Sequence, residues 1–291
     1  MIPAPFEYLA PKTLPEALSY LQQHGEEAKI LSGGHSLIPM LKLRLASPAF
    51  LVDLNGIPGM EFIEESNGYL KIGGLTRESA LEDSALIRSN YPIIYDTAKM
   101  IADPQVRNLA TVGGNLAHGD PANDHPATML ALRAQVVATG VKGKRTIAID
   151  DFFVSLFETA LDKGEILTEI QIPVPEKGSG GAYLKLERKV GDFATAGVAA
   201  QMTVDKSGKC KSVGIGLTNA GAVPLRAKQA EDSLTGKKLD ENLIAQAAQL
   251  AEAAAQPSAD LRGSVEYKKA MIKELTKRAL TLAYERARGG H

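Results

Sequence analysis

Two short glycine-rich segments constrain this chain more than any other feature. One is Ser32-Gly33-Gly34-His35-Ser36 and the other is Thr111-Val112-Gly113-Gly114-Asn115. Each sets two adjacent glycines among small hydroxyl or amide residues. Paired glycines let a backbone pass close to a ligand and take positive φ without steric cost. Consecutive amide N–H groups in such a turn form a concavity that suits a phosphate oxygen. A single loop of this kind can be an ordinary strand-to-helix turn. Two of them predict a pair of phosphates gripped from two sides, as in a dinucleotide diphosphate.

Composition bounds the rest. The 291 residues suffice for two or three subdomains with cores of their own. An apolar content of 44% fits a globular chain. The net charge of −1, with no basic stripe, argues against nucleic acid as a partner. Cys210 is the single cysteine. It excludes an internal disulfide framework and an iron–sulfur cluster held by this chain alone, which needs about four thiolates. Following Lys209, it reads as a free thiol in a short polar turn. The start, Met1-Ile2-Pro3-Ala4-Pro5, lacks the pattern of a secretory signal. No run approaches the roughly 18 apolar residues that span a bilayer. The expectation is a cytoplasmic protein that docks at the inner face of a membrane only through its partners.

Thr13-Leu14-Pro15-Glu16 is a capping box with proline in the first turn. It predicts a helix to about His24, stopped by Gly25, with Leu14, Ala17, Leu18 and Leu21 inside. A strand near 29–31 then feeds the first glycine loop, and Phe50–Asp53 reads as the next strand. The stretch 57–68, rich in Pro, Gly, Asn and acidic residues, marks a first boundary. Residues 69–72 read as strand, Thr76 opens a helix, and 93–101 is helical. Pro126 suits the first turn of a helix reaching Arg133, with Asp124 or His125 near its cap. Alternation predicts strands at 135–139, 145–149 and 166–172. Pro173-Val174-Pro175 and Gly178-Ser179-Gly180-Gly181 mark a second boundary. Beyond it come β-type stretches at 182–187, 197–204 and 210–217, then helices at 241–256 and 265–288, the latter stopping at Gly289-Gly290. Ala270, Leu275, Leu280 and Ala283 are expected on the inner face of the last helix.

Further segments carry a family resemblance. Leu31-Ser32-Gly33-Gly34-His35-Ser36-Leu37-Ile38-Pro39-Met40 is followed by Lys42-Leu43-Arg44. Ile101-Ala102-Asp103-Pro104-Gln105-Val106-Arg107 precedes the second loop, which leads to Gly119-Asp120-Pro121-Ala122-Asn123-Asp124. Arg188-Lys189-Val190-Gly191-Asp192-Phe193-Ala194-Thr195-Ala196 and Gly216-Leu217-Thr218-Asn219 lie in the last third. In these motifs, over essentially its whole length, the chain resembles the FAD-binding medium subunits of the molybdenum hydroxylases, and among them the aerobic carbon monoxide dehydrogenase type. The resemblance implies an α+β fold. A two-lobed FAD-binding domain of the PCMH type, with lobes at 1–57 and 58–176, precedes a C-terminal α+β domain at 177–291 with a three-stranded antiparallel sheet and helices.

The resemblance also implies FAD as cofactor and a set of residues around it. Ser32, Gly33, Gly34, His35 and Ser36 serve the diphosphate through backbone N–H groups and hydroxyls. Thr111, Val112, Gly113, Gly114 and Asn115 serve it from the other lobe. His35 reads as packing or facing solvent, not as an acid or base. Ile101 lies where relatives place an apolar residue near the flavin, and plain core is the other reading. Asp124 lies where they use an acidic residue on the ribose or adenine side, with a helix cap as the alternative. The backbone around Ile166 and Leu167 and the side chain of Lys185 contact the cofactor in relatives. Phe193 stands where relatives commonly carry Tyr or Trp against the isoalloxazine. An aromatic face is kept there and a polar edge lost.

His118, Asp120, Asp124 and His125 have metal-binding types but lie in a proline- and glycine-rich loop without an i, i+4 histidine pair, so no metal is expected. No nucleophile with base and orienter and no G-x-G-x-x-G fingerprint is present, so the chemistry belongs to the cofactor. The resemblance implies an electron-transfer subunit of a heterotrimer. Its partners would be a large molybdopterin subunit and a small [2Fe–2S] subunit, in a dimer of heterotrimers, with electrons leaving to a quinone or other acceptor. A related enzyme oxidising an N-heterocycle or aldehyde stays open. So do a nucleotide-binding assembly or regulatory protein without turnover and a stand-alone flavin oxidase or reductase.

Overall fold

The computed structural model describes residues 2–289. Near the N-terminus, three parallel strands lie in the order Glu7–Leu9, Phe50–Asp53, Ala28–Leu31. The helix Leu14–His24 crosses between two of them. Thr13 caps it by accepting from the Glu16 amide, and Glu16 accepts in return from the Lys12 amide at 2.7 Å. Gly25, at φ 51°, ends it. Ala17, Leu18 and Leu21 meet Val52, Leu54 and Ile57 in a small core.

The middle of the chain forms a five-stranded antiparallel sheet in the order Ile63–Ser66, Tyr69–Gly73, Ile166–Pro173, Gln135–Gly140, Gly143–Ala148. The stretch 57–68 is therefore more than a linker, because Ile63–Ser66 pairs in register with Tyr69–Gly73. Helices at Glu78–Asp83, Pro92–Met100, Val112–Ala117 and Asp124–Ala131 pack in the same core as this sheet.

The last third is a second antiparallel sheet: Ser179–Leu186, Ala196–Val204, Cys210–Thr218 and a two-residue fourth strand, Leu225–Arg226. The expected three strands thus gain a short fourth. The run 178–181 is not a linker. A Cβ at Gly180 would stand 2.2 Å from the amide nitrogen of Ala287, so glycine there lets the last helix, Val265–Ala287, lie on this strand. Glu241–Ala254 packs on the same side. The inner face of the last helix runs through Lys268, Ile272, Thr276, Ala279, Leu280, Ala283 and Ala287. Ala270 points outward instead, because the face that follows the strands starts two residues earlier, at Lys268. The expected stop at Gly290 lies outside the described residues. Cys210 is fully buried at the start of its strand rather than in a polar turn.

Asp124–Ala131 joins the second and third units. All eight of its residues are buried. A Cβ at Gly216 would stand 1.9 Å from the Ala127 carbonyl oxygen, and one at Gly214 2.1 Å from that of Ala131. Two bare glycine backbones let helix and strand touch main chain to main chain, as close packing requires where no side chain fits.

Candidate functional site

The two glycine loops meet. Ser32 Oγ and Thr111 Oγ1 lie 2.7 Å apart. A Cβ at Gly33 would stand 2.5 Å from the Leu109 carbonyl oxygen, so the first loop is nested on the backbone leading into the second. A Cβ at Gly113 would stand 2.4 Å from the Gly74 carbonyl oxygen, and one at Gly74 2.2 Å from that of Leu167. Leu167, Gly74 and Gly113 thus form a column of touching backbone. This places the Ile166–Leu167 segment behind the second loop.

The loops differ in what they leave for a ligand. In the second, the amides of Val112, Gly113, Gly114 and Asn115 are engaged. Val112 N–H donates to Thr76 O at 3.0 Å, Gly113 N–H to Gly74 O at 3.1 Å and Asn115 N–H to Thr111 O at 2.9 Å. Gly114 N–H donates to Thr111 Oγ1 at 3.2 Å. The reason is local: Thr111 is the N-cap of the helix Val112–Ala117, and a cap side chain takes up a first-turn amide. These four amides are thus bonded within the protein. In the first loop, the amides of Gly33, Gly34, His35 and Ser36 have no acceptor among the described residues. Gly34 takes φ 78°, where a Cβ would strike Ile38. Such a run of unengaged amides suits an anion. His35 is exposed at its rim.

Asp124 does not cap its helix. Asn123 holds the cap position, and its side chain donates instead to the Asn115 carbonyl at 2.9 Å. The Asp124 carboxylate accepts from the Tyr183 hydroxyl and, at 3.1 Å, from Lys185 Nζ. Lys185 also donates to the Met100 carbonyl at 2.8 Å and lies 3.3 Å from Glu187. Burial pushes the Asp124 carboxyl up, and the ammonium and phenol pull it back. Burial and the Asp124 charge push the Tyr183 hydroxyl well above its ordinary value. Tyr183 was missed in the sequence, although it sits two residues before Lys185 on the same face of a strand.

Ile101 is buried, and its carbonyl accepts from Arg107 Nη1 at 3.0 Å. Arg107 also pairs with Glu82 at 2.8 Å. The next residue, Ala102, takes φ 45°, uncommon for a non-glycine, and Gly191 abuts its backbone. Phe193 is 47% exposed on that same connection. The Arg262 guanidinium lies 5.9 Å from its ring and bonds Asp192 at 2.8 Å. Asn219 ties this segment to the Ala194 carbonyl at 2.8 Å and, through its own amide, to the Pro121 carbonyl at 2.7 Å.

The four residues with metal-binding types point to different partners. His125 pairs with buried Glu78 at 2.7 Å, His118 lies against Phe157, Asp120 accepts from the Ala122 amide, and Asp124 is taken by Lys185. Among the described residues no group of three His, Cys, Asp or Glu is placed to hold a metal.

These residues fit a dinucleotide. The first loop offers unpaired amides to a phosphate, and Asn115 Oδ1 is a buried acceptor without a partner. Comparison with known proteins agrees. Residues 4–175 match the model of the FAD binding domain in molybdopterin dehydrogenase. Residues 181–283 match that of the CO dehydrogenase flavoprotein C-terminal domain. The chain is 45% identical to the carbon monoxide dehydrogenase medium chain of Hydrogenophaga pseudoflava, over 98% of this chain and 99% of that one. It is 38% identical to the 6-hydroxypseudooxynicotine dehydrogenase complex subunit alpha of Paenarthrobacter nicotinovorans, covering 99% and 97% of the two. Among solved structures, carbon monoxide dehydrogenase from Hydrogenophaga pseudoflava, in a form lacking the Mo-pyranopterin moiety, superposes with a TM-score of 0.96 at 45% identity, covering 98% of this chain and 99% of that one. The chain therefore belongs to the FAD-binding oxidoreductase subunits of the molybdopterin dehydrogenase family, with the C-terminal domain of the CO dehydrogenase flavoproteins.

Proposed function

We propose that this chain is the electron-transfer subunit of a heterotrimeric molybdenum hydroxylase that oxidises carbon monoxide. The single observation that carries the cofactor's placement is the row of unengaged amides at 33–36 beside the Ser32–Thr111 contact. FAD, when bound, supplies reversible one- and two-electron transfer. The residues of this chain do the rest. Gly33, Gly34, His35 and Ser36 donate amides to phosphate oxygens, with the Ser32 and Thr111 hydroxyls beside them. Thr111, Val112, Gly113, Gly114 and Asn115 shape the opposite wall, and Asn115 Oδ1 accepts a ligand hydroxyl or amino group. Asp124, with lone pairs left beyond Tyr183 and Lys185, accepts a ribose hydroxyl. Ile101, Ile166 and Leu167 exclude water, and Phe193 offers its face to the flavin ring. Lys185 donates to the Met100 carbonyl and to Asp124, with the Glu187 carboxylate within ion-pair range, so it acts by holding Asp124 in place.

The partners in this reading are a large molybdopterin subunit and a small [2Fe–2S] subunit in a dimer of heterotrimers. A quinone or similar acceptor takes the electrons on the cytoplasmic side of the membrane. The chain's division at 1–57, 58–176 and 177–291 is supported by three main sheets that share no strand. No helix among the described residues is long and apolar enough to cross a membrane. A second reading, oxidation of an N-heterocycle, is supported by the full-length match to the 6-hydroxypseudooxynicotine dehydrogenase complex subunit alpha.

Purification of the native complex with cofactor analysis tests this. FAD, molybdenum and iron in a three-chain complex whose flavin bleaches under CO is the expected result. Bleaching only with a heterocycle or aldehyde keeps the family role and discards CO. A lone chain that neither carries nor takes up FAD overturns the electron-transfer reading in favour of an assembly or regulatory protein.

A further inference from the structure

We infer that Arg77, acting through Asn55, is a positioning residue that holds the two glycine loops at the separation a diphosphate needs and sharpens the Gly33 amide as a donor. This rests on the FAD reading above. Neither residue touches the loops' ligand face. Asn55 follows the strand Phe50–Asp53, and its amide donates to Asp53 Oδ1 at 2.9 Å. That turn aims Asn55 Nδ2 at the Ser32 carbonyl, 2.9 Å away. Arg77 Nη2 donates to Asn55 Oδ1 at 2.6 Å, and Nη1 donates to the Leu109 carbonyl. Arg77 also forms an isolated β-bridge with Thr111, and Glu61 lies 3.4 Å from its Nε.

One guanidinium therefore joins the start of the first loop, through Asn55, to the backbone two residues before the second. It is a second link between the loops, besides the contact of Ser32 Oγ with Thr111 Oγ1. The Leu109 carbonyl it grips is the atom on which Gly33 rests. Ser32 and Asn55 lie with the parallel sheet, whereas Arg77, Leu109 and Thr111 lie with the antiparallel one, so the link sets the distance between lobes.

The link is also electrostatic. A bond to the Ser32 carbonyl polarises the Ser32–Gly33 peptide, whose N–H is the first unengaged amide of the first loop. Hydrogen bonds in series strengthen one another, and a cation heads this series. A lysine could replace the charge but not the planar fork that reaches two divergent acceptors.

The test is flavin affinity of the full chain in its native complex, stripped of cofactor and titrated with FAD and with FMN. Arg77→Gln and Asn55→Ala are each expected to weaken FAD binding roughly tenfold to a hundredfold, the range for losing a hydrogen bond to a charged group. FMN carries one phosphate and does not bridge the loops, so it feels only the change at the Gly33 amide and loses less affinity than FAD. Arg77→Lys recovers only part of the loss. In the double variant the losses fall short of multiplying, because both side chains serve one link. FAD affinity within twofold of the unmodified complex in a folded Arg77→Gln or Asn55→Ala variant overturns the inference. So does an equal loss for FAD and FMN, which would mark a general structural role. If the unmodified complex takes up neither flavin, the FAD reading itself has failed and the inference falls with it.

Discussion

The hydroxyls of Ser32 and Thr111, 79 residues apart in the chain, lie 2.7 Å from each other between two sheets that share no strand. Thr111 Oγ1 also accepts from the Gly114 amide as an N-cap. Thr111→Val removes both contacts and should cost about 1–2 kcal/mol, the range for a lost cap. Thr111→Ser keeps both and should restore most of it. Urea unfolding of the flavin-free chain measures the difference, and equal stability of the two variants would show that the hydroxyl contributes nothing.

Gly216 is where a helix backbone rests on a strand backbone. Its missing Cβ would stand 1.9 Å from the Ala127 carbonyl, which no rotamer change can relieve. Gly216→Ala should destabilise by roughly 3 kcal/mol or more, at the upper end of overpacking penalties. A thermal midpoint close to that of the unmodified chain would mean the helix can shift away.

Asp124 and Lys185 are a buried ion pair, with side chains 8% and 1% exposed. Removing one partner strands the other charge, so Asp124→Asn and Lys185→Met should each cost about 3–5 kcal/mol. The double variant should cost less than the sum, because neither charge of this pair is left facing a missing partner. A double-mutant cycle by chemical denaturation reads the coupling, and strict additivity would deny it.

Asp192 gives a pH signature. The Arg262 guanidinium beside it, with the Phe193 amide, holds its carboxyl below the ordinary 3.8. A carboxylate depressed on folding contributes stability that is fully present above the unfolded value. That contribution is lost as pH falls through the folded value. The melting-temperature gap between the unmodified chain and Arg262→Gln should therefore be constant near neutrality and close as the pH drops below about 4. A gap that does not narrow at all on acidification would assign it to packing of Arg262 over Phe193.

Cys210 is buried, and its thiol is pushed up to about 11 by burial alone. A disulfide reagent at pH 7–8 should leave it untouched in the folded protein and titrate one thiol after denaturation. Rapid reaction under native conditions would mean that its strand opens locally.

Much of this was written locally in the chain. The capping box at Thr13, the stop at Gly25, the strand Phe50–Asp53 and the two long C-terminal helices depend on residues a few positions apart, and the structure places them within a residue or two of the reading. The two glycine loops were equally legible, since adjacent glycines flanked by hydroxyl residues announce close backbone approach. Other features needed neighbours distant in the chain. The run Gly178-Ser179-Gly180-Gly181 has linker composition, yet it is strand because the last helix arrives on Gly180. Ala270 suits an inner helix face by periodicity, but the face is set by where the sheet lies. Nothing near Asn55 or Arg77 marks them for a site, because their partners Ser32 and Leu109 are 23 and 32 residues away, and Tyr183 has only its two-residue spacing from Lys185, its partner Asp124 being 59 residues away. The division of labour between the loops was decided in three dimensions as well. An amide is free for a ligand only where no backbone carbonyl reaches it, and only the folded chain brings Thr76 and Gly74 against the second loop while leaving the first one bare.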